Sequence, residues 1–204
     1  PGSFCKPPFC LAYQGRDDRA LREKYAQLFL PLIPPKTLPR REGKPHIGIV
    51  VTHGHEGVFA RCLGPLVERL DRDKLDVTVL CSLAGKNILS TMFLKKTDRY
   101  FLLPTNVDEA AEQIAMAGFD LLHYWEIGTD SMNYFLPYYK PAPLQSTTWG
   151  WPVTSGNPRV DFFLAAEGLE PVNGREHYVE RLVAFAAEPA CYERPPLPES
   201  LKQR

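Results

Sequence analysis

From Ile47 onward the chain alternates between two rhythms. Short apolar runs, "IGIVVT", "LDVTVLCS", "RYFLLP", "FDLLHYW", "LQSTTW" and "VDFFLAA", read as strands. Between them lie stretches with helical spacing. "VFARCLGPLVERL" keeps that spacing despite Gly64-Pro65, and "NILSTMFLKK", "VDEAAEQIAMAG" and "SMNYFLPYY" follow, the third of these four terminated by Gly118. Apolar strands alternating with helices predict parallel pairing with helices on both faces, a doubly wound, Rossmann-like α/β sheet. Upstream, "DDRALREKYAQLFLPL" predicts a lead-in helix with Leu21, Tyr25, Leu28 and Leu30 on one side and Asp17 or Asp18 as its N-cap.

Proline sets the expected boundaries. Pro31, Pro34, Pro35, Pro39 and Pro45 crowd one stretch, and Pro189, Pro195, Pro196 and Pro198 another; both read as linkers, because proline continues neither a helix nor an inner strand. Residues 1–45 are therefore expected to hold a tag remnant (Pro-Gly-Ser reads as a cleavage scar), the helical lead-in and a Pro-rich linker. The Rossmann-like domain spans 46–186, and 187–204 form a second Pro-rich linker. Lys+Arg and Asp+Glu number 24 each, which gives no electrostatic case for nucleic acid or an anionic membrane. No apolar run approaches the ~20 residues of a membrane span, so a soluble, cytoplasmic protein is expected. Of five cysteines, Cys62 and Cys81 read as small core residues; Cys5 and Cys10 are open to pairing or metal, with reduced thiols the simpler expectation.

Doubly wound sheets place ligands at the carboxyl ends of their strands. Three loops should emerge there: His53–Gly57, Glu126–Asp130 and Trp149–Gly156. The first lacks G-x-G-x-x-G spacing and no acidic residue closes the second strand, which argues against a nicotinamide cofactor. His53 and His55 read either as solvated or helix-capping residues, or as an acid/base or phosphate-contacting pair. Glu126 is either a base or a solvated carboxylate. One or both of Trp149 and Trp151 should pack, whereas Gly150, Thr154, Ser155 and Gly156 suit contacts to a sugar or phosphate. His123 reads as a hydrogen-bonded core residue, and His46 and His177 give no site signal.

"KPAPLQSTTWGWPVTSGNPRVDFFLA" resembles a stretch of the O-linked N-acetylglucosamine transferases and their bacterial relatives (glycosyltransferase family 41), rendered R-P-A-P-I-Q-x-x-W-x-G-Y-P-G-T-[ST]-G-x-x-x-x-D-Y. Pro141, Ala142, Pro143, Gln145, Gly150, Pro152, Thr154, Ser155, Gly156 and Asp161 keep their order. "KPHIGIVVTHGHEGVFARCL", "GLEPVNGREHYVERLVAF" and the lead-in are also similar to that family, so the likeness covers nearly the whole chain. It implies one half of a GT-B fold and an inverting, metal-independent transfer of N-acetylglucosamine from UDP-GlcNAc to Ser or Thr of a protein acceptor. No cofactor is implied beyond that nucleotide sugar. It further implies upstream tetratricopeptide repeats and, beyond Arg204, a C-terminal half carrying the uridine pocket and a diphosphate-binding lysine.

The family's catalytic histidine falls on His55. Its substrate contacts fall on His53, on Gly128 and Thr129 after the fourth strand, and on Gly150, Pro152, Thr154, Ser155 and Gly156, with the hydroxyls facing the sugar. Gly128 replaces the family's His or Tyr, and Trp151 and Val153 replace Tyr and Gly. A non-catalytic binding module derived from such an enzyme is the alternative expectation.

Overall fold

A computed structural model describes residues 6–38, 42–92, 99–186 and 190–191. Seven parallel strands form one sheet: β1 (His46–Val50), β2 (Asp76–Cys81), β3 (Tyr100–Leu102), β4 (Leu121–Tyr124), β5 (Leu144–Thr148), β6 (Phe162–Ala166) and β7 (Arg181–Phe185). Their spatial order is β3-β2-β1-β4-β5-β6-β7, so the direction of winding reverses between β1 and β4. The expected α/β architecture is present.

Side chains alternate across the sheet as a pleat requires. Ile49 and Val51 enter one apolar cluster with Val77, Val79 and Cys81, against α2 (Glu56–Cys62), α3 (Gly64–Arg69) and α4 (Leu83–Met92). Val50, Leu80, Leu122 and Tyr124 enter the other, with α1 (Arg19–Gln27), α5 (Val107–Ala117) and α6 (Ser131–Phe135). Both faces are covered, which is why the strands read as near-continuous apolar runs.

Three local expectations are revised. "VFARCLGPLVERL" is two helices rather than one, broken at Leu63, because Pro65 has no N–H to continue α2 and instead sits in the first turn of α3. The helix expected over "NILSTMFLKK" starts earlier, at Leu83, and its last residues lie outside those described. On α1 and the turns that follow it the buried stripe is Arg22, Ala26, Phe29 and Ile33, while Leu21 and Leu28 are 55% and 60% exposed. An apolar count skips an arginine, and so rotated the stripe. Asp18 stands at the N-cap position but its carboxylate pairs with Arg22 at 2.6 Å; Asp17 Oδ1 takes the Arg19 N–H at 3.0 Å.

Residues 19–36 are fastened to the sheet domain. The Arg159 guanidinium donates to the carbonyls of Ile33 (2.6 Å), Leu30 (3.2 Å) and Tyr138, and the Lys36 N–H donates to the Tyr139 carbonyl at 2.6 Å. Cys62 and Cys81 are buried as expected, and Cys10 is exposed. Cys5 and nearly all of the second Pro-rich stretch lie outside the described residues.

Candidate functional site

The loops after β1 and β4 meet at the reversal point, where a doubly wound sheet opens a crevice. His55, at the N-cap position of α2, turns its Nδ1 onto Glu126 Oε1 at 2.5 Å. Its Nε2 lies 3.6 Å from Asp130 Oδ2 and 3.5 Å from Thr129 Oγ1. Glu126 is 6% exposed, so it is no solvated loop carboxylate. The short contact with Glu126 raises the His55 pKa, burial opposes it, and the charges of Glu126, Asp130 and Glu56 add to the rise. A carboxylate on Nδ1 fixes the ring and its tautomer, leaving Nε2 to meet a reacting proton.

Asn133 holds this arrangement. Its Oδ1 accepts the N–H groups of Gly128 (2.9 Å), Thr129 (3.3 Å) and Asp130 (3.3 Å). Its Nδ2 donates to Thr52 Oγ1 (3.1 Å), Thr129 Oγ1 (2.6 Å) and Asp130 Oδ2 (2.9 Å). Asp130 returns the favour through a reciprocal cap of α6, accepting the Asn133 N–H at 2.8 Å, and its other oxygen accepts the Thr52 hydroxyl. Sequence reading passed over Asn133. Its signal was the Asp130-x-x-Asn133 spacing of a capping box.

His53 does not join the cluster: its side chain is 73% exposed and Nδ1 stands 3.7 Å from Glu56 Oε1. Glu56 is 1% exposed, and its Oε2 accepts the Gly54 N–H at 2.8 Å, stiffening the loop between the two histidines. His123 is bound to Ser146 Oγ at 2.9 Å, and burial lowers its pKa to about 4.

The third loop is turned inward. Where the sequence reading faces Thr154 and Ser155 toward a ligand, both hydroxyls donate to the buried carboxylate of Glu180, Thr154 at 2.6 Å, and the Ser155 N–H joins them at 2.8 Å. Glu180 is 4% exposed. A carboxylate taken out of water needs such donors, so the hydroxyl cluster satisfies a buried charge. Gly156 has φ 72°, and a Cβ there would stand 2.6 Å from the Arg22 backbone; a Cβ at Gly150 would collide with the Trp125 carbonyl and indole. Both glycines serve close packing, leaving Pro152 as the exposed member of the loop.

Both tryptophans pack. Trp151 stacks on Phe9 at 4.4 Å and Trp149 meets Trp125 edge-on at 5.0 Å. Trp151 also fills the space beside Gly128, its Cδ1 3.3 Å from where a Cβ of residue 128 would be. The N-terminal segment Lys6–Leu11 and Thr129–Ser131 border a groove of about 630 Å³ on one side of Asp130. Among the described residues no group of three or more His, Cys, Asp or Glu side chains could hold a metal ion, and no helix is long and apolar enough to cross a membrane.

No family model matches the chain. A mutant of the Thermobaculum terrenum O-GlcNAc transferase matches its structure with a TM-score of 0.72 at 26% identity, over 88% of this chain and 36% of that one. The chain resembles the O-GlcNAc transferases. A probable UDP-N-acetylglucosamine–peptide N-acetylglucosaminyltransferase SPINDLY of Solanum lycopersicum is 36% identical over 61 residues, 30% of this chain. The chain spans 6% of that relative's length and about a third of the O-GlcNAc transferase neighbour's. Its sheet is thus a Rossmann-like unit of the O-GlcNAc transferase type, and its fold is that of a glycosyltransferase.

Proposed function

We propose that this chain supplies the His55-bearing half of an inverting, metal-independent glycosyltransferase active site that moves N-acetylglucosamine from UDP-GlcNAc to Ser or Thr of a protein. The observation that carries this reading is the His55–Glu126 pair at the reversal point of a sheet similar to an O-GlcNAc transferase. Neutral His55 donates its Nδ1 proton to Glu126 and accepts the acceptor's hydroxyl proton at Nε2. The freed oxygen attacks the anomeric carbon from the face opposite the leaving group, the bond from that carbon to the phosphate oxygen breaks, and UDP departs. Positive charge that develops on the ring is offset by Glu126 and Asp130. Stabilisation of the departing diphosphate falls to groups outside the described residues, a family-type C-terminal half among them. The protein's partners are accordingly its acceptor and that second half, and its setting the cytoplasm.

A second reading, a binding module without catalysis, is favoured by Gly128, which has no side chain to offer a ligand, and by the inward hydroxyls of Thr154 and Ser155. Calorimetric titration of a protein that carries both halves with UDP and UDP-GlcNAc, followed by a transfer assay on a Ser/Thr peptide, separates the two. Binding together with transfer that falls 10²–10⁴-fold in His55→Ala supports the enzyme. Binding with no transfer under any condition supports the module, and no affinity for either nucleotide removes both.

A further inference from the structure

Beyond β7, Ala190 and Cys191 lie against α2 and α3. Ala190 packs on the apolar cluster that those helices share with the sheet. The Cys191 N–H donates to the Cys62 carbonyl at 3.0 Å, and the Arg69 guanidinium donates to Cys191 Sγ at 2.9 Å. Cys62 is the last residue of α2 and is 6% exposed, whereas Cys191 is half-buried; neither is in a disulfide. The hydrogen bond between them sets a distance. Across a hydrogen-bonded strand pair the Cα atoms stand about 5.5 Å apart, and a disulfide spans about 4.4–6.8 Å between Cα atoms. A backbone bond of 3.0 Å works on the same scale, so the two cysteines stand at the separation a disulfide bridges.

The two thiols are not equivalent. Cys191 meets solvent and has a cation facing its sulfur, the atom that carries negative charge when a thiol attacks as thiolate. Cys62 belongs to the core. Cys81 is set apart from both, because burial and the Glu56 charge push its thiol up to about 12 and it keeps its proton. We infer that Cys191 and Cys62 form a redox modification site whose reactant is a small-molecule disulfide of the oxidised glutathione class. The Cys191 thiolate attacks one sulfur of that disulfide, its S–S bond breaks, and the first small thiol leaves with the Cys191 proton. Cys62 then attacks the Cys191 sulfur, the mixed disulfide breaks, and the second small thiol leaves with the Cys62 proton. Two protein thiols become one disulfide while one small disulfide becomes two thiols. The new bond fastens the chain beyond β7 to the C-terminal end of α2, the helix with His55 at its N-cap. It also closes a long loop in the unfolded chain, which makes the oxidised form the more stable one. The exchange needs no sugar nucleotide.

The test incubates the 204-residue chain with oxidised glutathione at neutral pH, blocks the remaining thiols with N-ethylmaleimide and maps disulfides by peptide mass spectrometry. A Cys62–Cys191 cross-link should form in the folded chain. The thermal midpoint should rise by roughly 5–15 °C and fall back on adding dithiothreitol. Cys191→Ser should lose both the cross-link and the thermal shift, with the circular dichroism spectrum of the parent. Cys62→Ser should stop at a glutathione adduct on Cys191. Absence of the Cys62–Cys191 cross-link overturns the site, whether the thiols stay reduced, stop at adducts in the parent chain, or pair with Cys5, Cys10 or Cys81. A cross-link that forms only in urea overturns it as well. So does one that leaves the midpoint where it was, because the folded chain is then strained to reach the bond.

Discussion

His55 sits among carboxylates that pull its proton affinity upward, with Glu126 the strongest. A raised folded-state pKa means that the folded chain holds this proton more tightly than the unfolded chain does. The pair's contribution to stability is complete below the unfolded value near 6.5 and is lost as pH rises through the folded value. Glu126→Gln should flatten that dependence, and NMR titration of the His55 ring should report a lower pKa. Because the proposed reaction requires neutral His55, its rate should rise with pH through the raised pKa, and Glu126→Gln should move that limb to lower pH. His123 works in the opposite sense. Buried and neutral, with a pKa of about 4, it binds a proton more readily in the unfolded chain, so its penalty grows as pH falls from 6.5 toward 4. His123→Gln should hold more of its stability across that window in chemical denaturation at stepped pH.

At the level of elements, α1 and the third loop depend on each other. Arg22 is fully buried, pairs with Asp18, and presents its backbone to Gly156. Removing one partner of a buried pair strands the other, so Arg22→Ala should cost about 3–5 kcal/mol in urea unfolding. Gly156→Ala should cost about 1–3 kcal/mol for the left-handed backbone alone, with the collision against Arg22 adding to it. Glu180→Ala leaves the Thr154 and Ser155 hydroxyls buried without acceptors and should cost about 2–3 kcal/mol or more. The strands, α5 with its Gly118 cap, and the meeting of the first two loops were legible, because each is written in local periodicity and turn chemistry. The inward turn of Thr154 and Ser155 was not, since its cause is a carboxylate 25 residues downstream. Nor was the buried face of α1, where a charged residue occupies a core position.

Across the whole molecule, the crevice at the β1/β4 reversal follows from strand order; the alternation visible in the sequence predicts a doubly wound sheet but leaves that order open. What the alternation could not supply is the cluster's second layer, since Asn133 and Glu56 lie at positions where hydrophobic patterning is silent about partners. The fastening of α1 has a consequence for synthesis on the ribosome. Arg159 donates to the Ile33 carbonyl from 126 residues away in the chain. At about 5–20 residues per second, the helix leaves the exit tunnel roughly 6–25 s before its clamp exists. For that interval the Leu30 and Ile33 carbonyls lack their guanidinium donor, although Phe135 and Tyr138, the rings that Phe29 packs on, are made before Arg159. The helix is thus made early and clamped late, and nascent chains halted before Arg159 leaves the tunnel should present it to proteases and chaperones more than chains long enough to bring Arg159 out.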